Sequence, residues 1–201
     1  LDAYRNVRKN GVIAINLDDD DELAWVRLTS GSDDLLVATR KGMGIRFNES
    51  DARPLGRTAR GVKAIELREG DEVIGMEVLD EAKTVLTVSS TGYGRRSEPS
   101  DYRLQSRGGK GTINYRTETY GDVAAIAVVD ESEDVIFISS DGIISTFARP
   151  SKGVRVMRVS EGEELVTVAC TPSEEDEEKD EDSADGENSS AENGENSDSN
   201  E

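Results

Sequence analysis

Apolar and polar residues alternate in short runs along this chain, and the runs recur at a fixed interval. Val12–Leu17 and Val62–Leu67 each follow a glycine, Gly11 and Gly61, and Gly111 stands fifty residues further on. An acidic turn comes next, at 18–21, 69–71 and 121–122, and leads into Glu22–Leu28, Glu72–Leu79 and Val123–Val129. A third set, Leu35–Thr39, Val85–Ser89 and Val135–Ser139, runs up to glycine turns at Gly42, Gly92 and Gly142. A fourth set follows at Gly44–Phe47, Gly94–Arg96 and Ile143–Phe147. Short runs rich in Val, Ile and Leu, bounded by Gly, Asp and Ser, are the pattern of antiparallel strands with hairpin turns at the glycines. No stretch keeps a helical period beyond about two turns.

Four strands per fifty residues, repeated, predict an all-β fold of propeller-like blades. The repeats run from about 11–60, 61–110 and 111–152, with a partial one over 153–170, or roughly three and a half blades. The third is cut short: five residues separate Phe147 from Gly153, where thirteen separate Phe47 from Gly61. A lone blade exposes an apolar face and needs a neighbour. The chain opens on Leu1 inside a repeat, so the expectation is an open arc whose remaining blades precede it.

Composition sharpens the boundaries. The net charge of −19 is concentrated at the end, because residues 171–201 hold 14 Asp or Glu and one Lys with almost nothing apolar. Such a segment buries too little to offset its ordering entropy and is expected to be a disordered acidic tail. The body, 1–170, is near balance and long enough for a core. With one cysteine, Cys170, and no histidine, an internal disulfide, an ordinary zinc site and a Cys/His nucleophile are excluded. Cys170, at the end of the last strand, is expected to be a small packing residue, and Trp25 a core residue. Asp18–Glu22 lacks the glycine and terminal glutamate of an EF-hand loop. No distinguished carboxylate pair marks a catalytic site. No run is long and apolar enough to span a membrane, and without a visible signal peptide the expected compartment is the cytoplasm.

The candidate chemistry is cationic. The stretch 102–111 reads Tyr-Arg-Leu-Gln-Ser-Arg-Gly-Gly-Lys-Gly, and it has a twin at 53–61. In fifty-residue register Arg96 falls on Arg46, Arg103 on Arg53, Arg107 on Arg57, Lys110 on Arg60 and Gly111 on Gly61. Arg95 adds a further cation beside Arg96. Cations kept in step across a repeat predict a partner with regularly spaced negative charge, and a nucleic-acid backbone is the commonest such object. This is not a phosphate-cradling P-loop, because Lys110 is followed by Gly111 and a strand rather than by Ser or Thr opening a helix.

The run from Gly92 to Arg96, the stretch 102–111, the segment from Arg8 to Leu17 and the segment from Gly56 to Val62 resemble the C-terminal domain of the bacterial DNA gyrase A subunit, over about residues 1–170. The resemblance implies a six-bladed β-pinwheel, with strands exchanged between neighbouring blades and a basic rim that bends and wraps double-stranded DNA. Residues 105–111 are similar to the seven-residue box of that family, with Ser106 in place of an arginine. The implied DNA-binding set is Arg46, Arg53, Arg57, Arg60, Arg95, Arg96, Arg103, Gln105, Arg107, Gly108, Gly109, Lys110 and Gly111. The implied setting is an A2B2 assembly with the gyrase B subunit on the bacterial chromosome, using ATP and Mg2+ in the whole complex and no cofactor in this stretch. Two alternatives stand beside it: the homologous subunit of topoisomerase IV, and a protein-binding propeller with no nucleic-acid role.

Overall fold

Each of the three glycine turns closes a β-hairpin. In the computed structural model, which describes residues 9–56, 59–148 and 154–173, β1 (Asp34–Thr39) pairs antiparallel with β2 (Met43–Asn48). In the same way β4 (Thr84–Ser89) pairs with β5 (Tyr93–Ser97), and β8 (Glu133–Ser139) with β9 (Ile144–Ala148). Gly92 is demanded there twice over. Its φ is 81°, and a Cβ would lie 2.3 Å from the carbonyl oxygen of Met157, which packs down on the turn.

The remaining strands are β3 (Val73–Val78), β6 (Thr112–Ile113), β7 (Val123–Val129), β10 (Val154–Arg155) and β11 (Leu165–Pro172). The sheets run β3-β1-β2-β6, β10-β5-β4-β7 and β11-β8-β9. A sequence repeat and a blade are therefore different objects. In the first sheet the hairpin comes from one repeat, the inner strand β3 from the next, and the outer strand β6 from the one after. The only helix longer than a 3-10 turn among the described residues is the single turn Thr117–Tyr120.

This exchange explains where the strand expectations fail. Val12–Leu17, Glu22–Leu28 and Val62–Leu67 carry strand-like patterns but join no ladder. Glu22–Leu28 stands fifty residues ahead of the β3 stretch, and β3 owes its place to the hairpin β1–β2. Among the described residues no hairpin is set beside Glu22–Leu28, so Val26 and Leu28 are left exposed, and Arg27 grips Glu77 at 2.8 Å instead. Likewise Val62–Leu67 precedes the β6 stretch by fifty residues and, among the described residues, has no β2 equivalent to lie against. Strand pattern is a statement about faces; a strand also needs a partner edge.

The core lies between sheets. Leu36 and Ala38 of β1 pack with Val85, Val123 and Ile126 of the second sheet. One repeat on, Leu86 and Val88 of β4 pack with Val135, Phe137 and Leu165 of the third. A further cluster, Leu35, Val37, Ile45 and Phe47 with Ile65, covers the other face of the first sheet. β1 and β4 are thus buried on both faces, which is why they read as unbroken apolar runs. Phe137 is 0% exposed at the junction of the second and third sheets. Its replacement by alanine is expected to cost about 3–5 kcal/mol, read from the urea midpoint.

Two core expectations are corrected. Trp25 is only half-buried, in an open cleft beside the inner strands β3, β7 and β11. Cys170 is exposed on β11 rather than packed, and β11 runs on to Pro172, past the boundary expected at 170. Residues 174–201, which carry all the charge of the expected acidic tail, lie outside the described residues.

Candidate nucleic-acid interface

The loop from Tyr102 to Gly111 is fixed to the outer edge of the first sheet along its whole length. It leaves the 3-10 turn Pro99–Asp101, and Tyr102 drops into the core, 5% exposed, with its hydroxyl donating to Asn114 Oδ1 at 2.7 Å. Burial pushes the Tyr102 hydroxyl above its ordinary pKa, so it stays a donor. Leu104 then forms a parallel bridge with Arg46, and the Gln105 amide donates to the Arg46 carbonyl at 2.9 Å. On the other side the Gly108 amide donates to Ala64 O at 2.6 Å, and the Glu66 amide to Gly109 O at 2.8 Å. The loop therefore ties β2 to residues 64–66, the stretch that has no strand partner of its own.

The glycines of the loop serve this docking. Gly111 has φ 70°, and a Cβ there would sit 2.4 Å from the carbonyl oxygen of Gly44. Only glycine lets the chain turn into β6 so close to β2. Gly109 passes the Ile45 side chain, and Gly108 passes Lys63 O. The nearest neighbours of Gly108 and Gly111 are backbone carbonyl oxygens of the same chain, and that of Gly109 is the Ile45 side chain.

The cations divide into two kinds. Arg46 and Arg96, the pair in most obvious register, are held by partners within the chain. The Arg46 side chain is 14% exposed; its Nε donates to Asp34 Oδ2 at 2.8 Å, its Nη1 to Pro99 O at 2.9 Å, and its Nη2 reaches Glu81 at 2.5 Å. Partial burial works against the charges of this cluster, but the hydrogen bonds outweigh it, raising the pKa of Arg46 and lowering that of Asp34. Arg96 repeats the arrangement at 11% exposure, with Nε on Thr84 Oγ1 at 2.7 Å and Nη1 on Glu131 at 2.8 Å. Their register reflects a repeated structural brace, in which both guanidinium groups already have carboxylate partners within the chain. A guanidinium already paired in a half-buried site has little field left for a phosphate.

Arg60 is exposed but meets Asp18 at 2.8 Å. Gln105 is half-buried, with its Nε2 enclosed and unpaired. Arg107 spends two donors on neutral carbonyls, Nε on Asp51 O at 2.9 Å and Nη1 on Lys63 O at 3.0 Å, so it anchors the loop while keeping its charge. Arg53, Arg95, Arg103 and Lys110 are exposed, and among the described residues no carboxylate lies within ion-pair distance of them. Arg57 lies outside the described residues. Through the Arg107 bonds, the segments holding Arg53, Lys63, Arg103, Arg107 and Lys110 are brought to one edge of the first sheet; Arg95 sits apart, on β5. Lys63 went unnoticed in the sequence because it sits inside a run read as a strand. No group of three or more acidic, Cys or His residues among the described residues could hold a metal, and no helix there is long and apolar enough to cross a membrane.

Comparison with known proteins bears on this geometry. A family model described as the DNA gyrase C-terminal domain, beta-propeller, matches residues 1–30, 33–80, 83–130 and 145–172. The DNA gyrase A subunit of Clostridium acetobutylicum is 64% identical over 56 residues, 28% of this chain and 7% of that protein. The DNA gyrase A subunit of Haloquadratum walsbyi is 50% identical over 60 residues, 30% of this chain and 7% of that protein. The matched stretch thus spans about 7% of the length of such relatives. The structure of the DNA gyrase A C-terminal domain superposes with a TM-score of 0.69 at 25% identity, covering 81% of this chain and 58% of that one. The C-terminal domain of DNA topoisomerase IV superposes with a TM-score of 0.77 over 92% of this chain and 61% of that one. At 21% identity it is a likeness of fold.

Proposed function

This chain belongs to the family of DNA gyrase C-terminal, β-propeller domains, and from that premise we propose that it binds double-stranded DNA along the outer edge of its sheets and bends it. In the whole enzyme this would be the DNA-wrapping part of the gyrase A subunit, supporting ATP-dependent negative supercoiling within an A2B2 assembly with gyrase B, in the bacterial cytoplasm. ATP and Mg2+ belong to that assembly; the role of this chain is positional and electrostatic.

The observation that carries the reading is the split between cations. Arg53, Arg103 and Lys110 are exposed without carboxylate partners on segments locked to one sheet edge, while other arginines of the repeat are neutralised. Each phosphate that such a cation neutralises releases condensed counterions, so affinity falls with salt. Phosphate contacts fix position and carry little base information, so any sequence preference comes from ease of bending. A mobility shift on linear duplex DNA at two salt concentrations tests this. A propeller that binds only protein gives no salt-dependent shift. The gyrase reading is favoured over topoisomerase IV by the family match and the curated relatives.

The residues beyond Ser173 contain all 14 acidic groups of the tail and one Lys. Tethered to the body, they compete with DNA for the cationic edge at high effective concentration. Deleting 174–201, which leaves β11 whole, is expected to tighten DNA binding at moderate salt. Unchanged or weaker binding by fluorescence anisotropy would contradict the competition.

A further inference from the structure

The shortening of the third repeat takes from the second sheet the loop that the first sheet carries. Only five residues separate Phe147 from Gly153, too few for a counterpart of 102–111. At that edge Arg155 of β10 stands opposite Tyr93 of β5. The guanidinium lies 5.0 Å from the ring centre, and its Nη2 donates to the Tyr93 hydroxyl at 2.7 Å. Tyr93 in turn rests on Tyr120, with ring centroids 5.2 Å apart. Arg158 joins Tyr93, Arg155 and Ser145 in lining an open concavity of about 620 Å3. Among the described residues no carboxylate lies within ion-pair distance of Arg155 or Arg158.

The contrast with Arg46 and Arg96 decides what this arrangement can do. Those two are held by carboxylates, which orient the guanidinium and cancel its charge. A tyrosine ring and phenol orient a guanidinium and leave its charge intact. An anion arriving there finds a cation whose rotamer is already chosen, which lowers the ordering cost of the contact.

We propose that Arg155, positioned by Tyr93, and its neighbour Arg158 form a second phosphate-contact site for duplex DNA, standing on the second sheet in place of the absent loop. The proposal rests on the DNA-binding reading above and deepens it. Fifty-residue register conceals the site, because the cut moves everything after it: Arg158 follows Arg116, and Arg155 follows Ile113, by 42 residues.

The test is a set of anisotropy titrations of a labelled linear duplex against the full chain over a range of salt, with thermal melts as a fold control. The double variant Arg155→Gln/Arg158→Gln is expected to lower the slope of log affinity against log salt by about 1.8. Arg155→Lys/Arg158→Lys is expected to restore most of that slope. Tyr93→Leu is expected to weaken binding in the unsubstituted background and to add nothing once Arg155 is Gln, a coupling that a purely structural role for Tyr93 does not produce. A full slope in the Gln variant, with the parent chain bound, overturns this site alone. If the parent chain shows no salt-dependent binding, the site and the DNA reading fall together.

Discussion

Alanine at Gly111 is expected to destabilise the chain by roughly 3 kcal/mol and to release the 102–111 loop from the first sheet. The Cβ would stand 2.4 Å from Gly44 O and 2.9 Å from Gly44 C, at a backbone φ of 70°. Neither side can yield cheaply. Gly44 is held in the β1–β2 ladder opposite Ala38, and Thr112, the next residue, pairs with Gly44 itself. Gly61 supplies the control, since it occupies the same place one repeat earlier with φ 90° and nothing within 4 Å of a built Cβ. Alanine there meets only the conformational penalty, about 1 kcal/mol. Urea unfolding compares the two costs. Limited trypsin digestion reads loop release directly, because Arg103, Arg107 and Lys110 become cleavable only when the loop lifts. Equal costs at the two positions would mean that the docking of Gly111 on β2 is not what holds the loop.

Those two glycines also mark the limit of what the repeat can teach. Fifty-residue periodicity located every hairpin, because a hairpin is local: its glycine turn, its alternation and its partner edge lie within about fifteen residues. It also indicated that each blade must pack on a neighbour, since a face that is apolar in every copy has to meet another copy. It could not show which inner and outer strands complete which hairpin. That choice is made between residues about twenty-five to seventy apart, by the availability of an edge, and Val62–Leu67 has the pattern of a strand without the edge. The same blindness affects the site. Arg46 and Arg103 look alike as basic positions in a sequence. They differ in whether a carboxylate from elsewhere in the chain, Asp34 or Glu81, arrives beside them. Arg155 was invisible for a simpler reason, the broken register after Phe147.

The division of the arginines makes the sharpest demand on solution behaviour. Arg103→Gln combined with Lys110→Gln removes two exposed charges that no carboxylate balances among the described residues. The salt slope of DNA binding is expected to fall by about 1.8, since each lost phosphate contact removes about 0.9. Stability should hold within about 0.5 kcal/mol, because neither side chain is buried. Arg46→Gln is expected to do the reverse. It strips two carboxylates and the Pro99 carbonyl of their donor at a site only 14% exposed, with an expected loss of about 2 kcal/mol. Its salt slope should match the parent, because a guanidinium neutralised in place releases no counterion from DNA. Measuring unfolding and salt slope on the same two proteins separates the roles. A slope that drops in Arg46→Gln as far as in the double variant would show that the brace opens when DNA binds, and that the cationic edge is wider than the unbound structure presents.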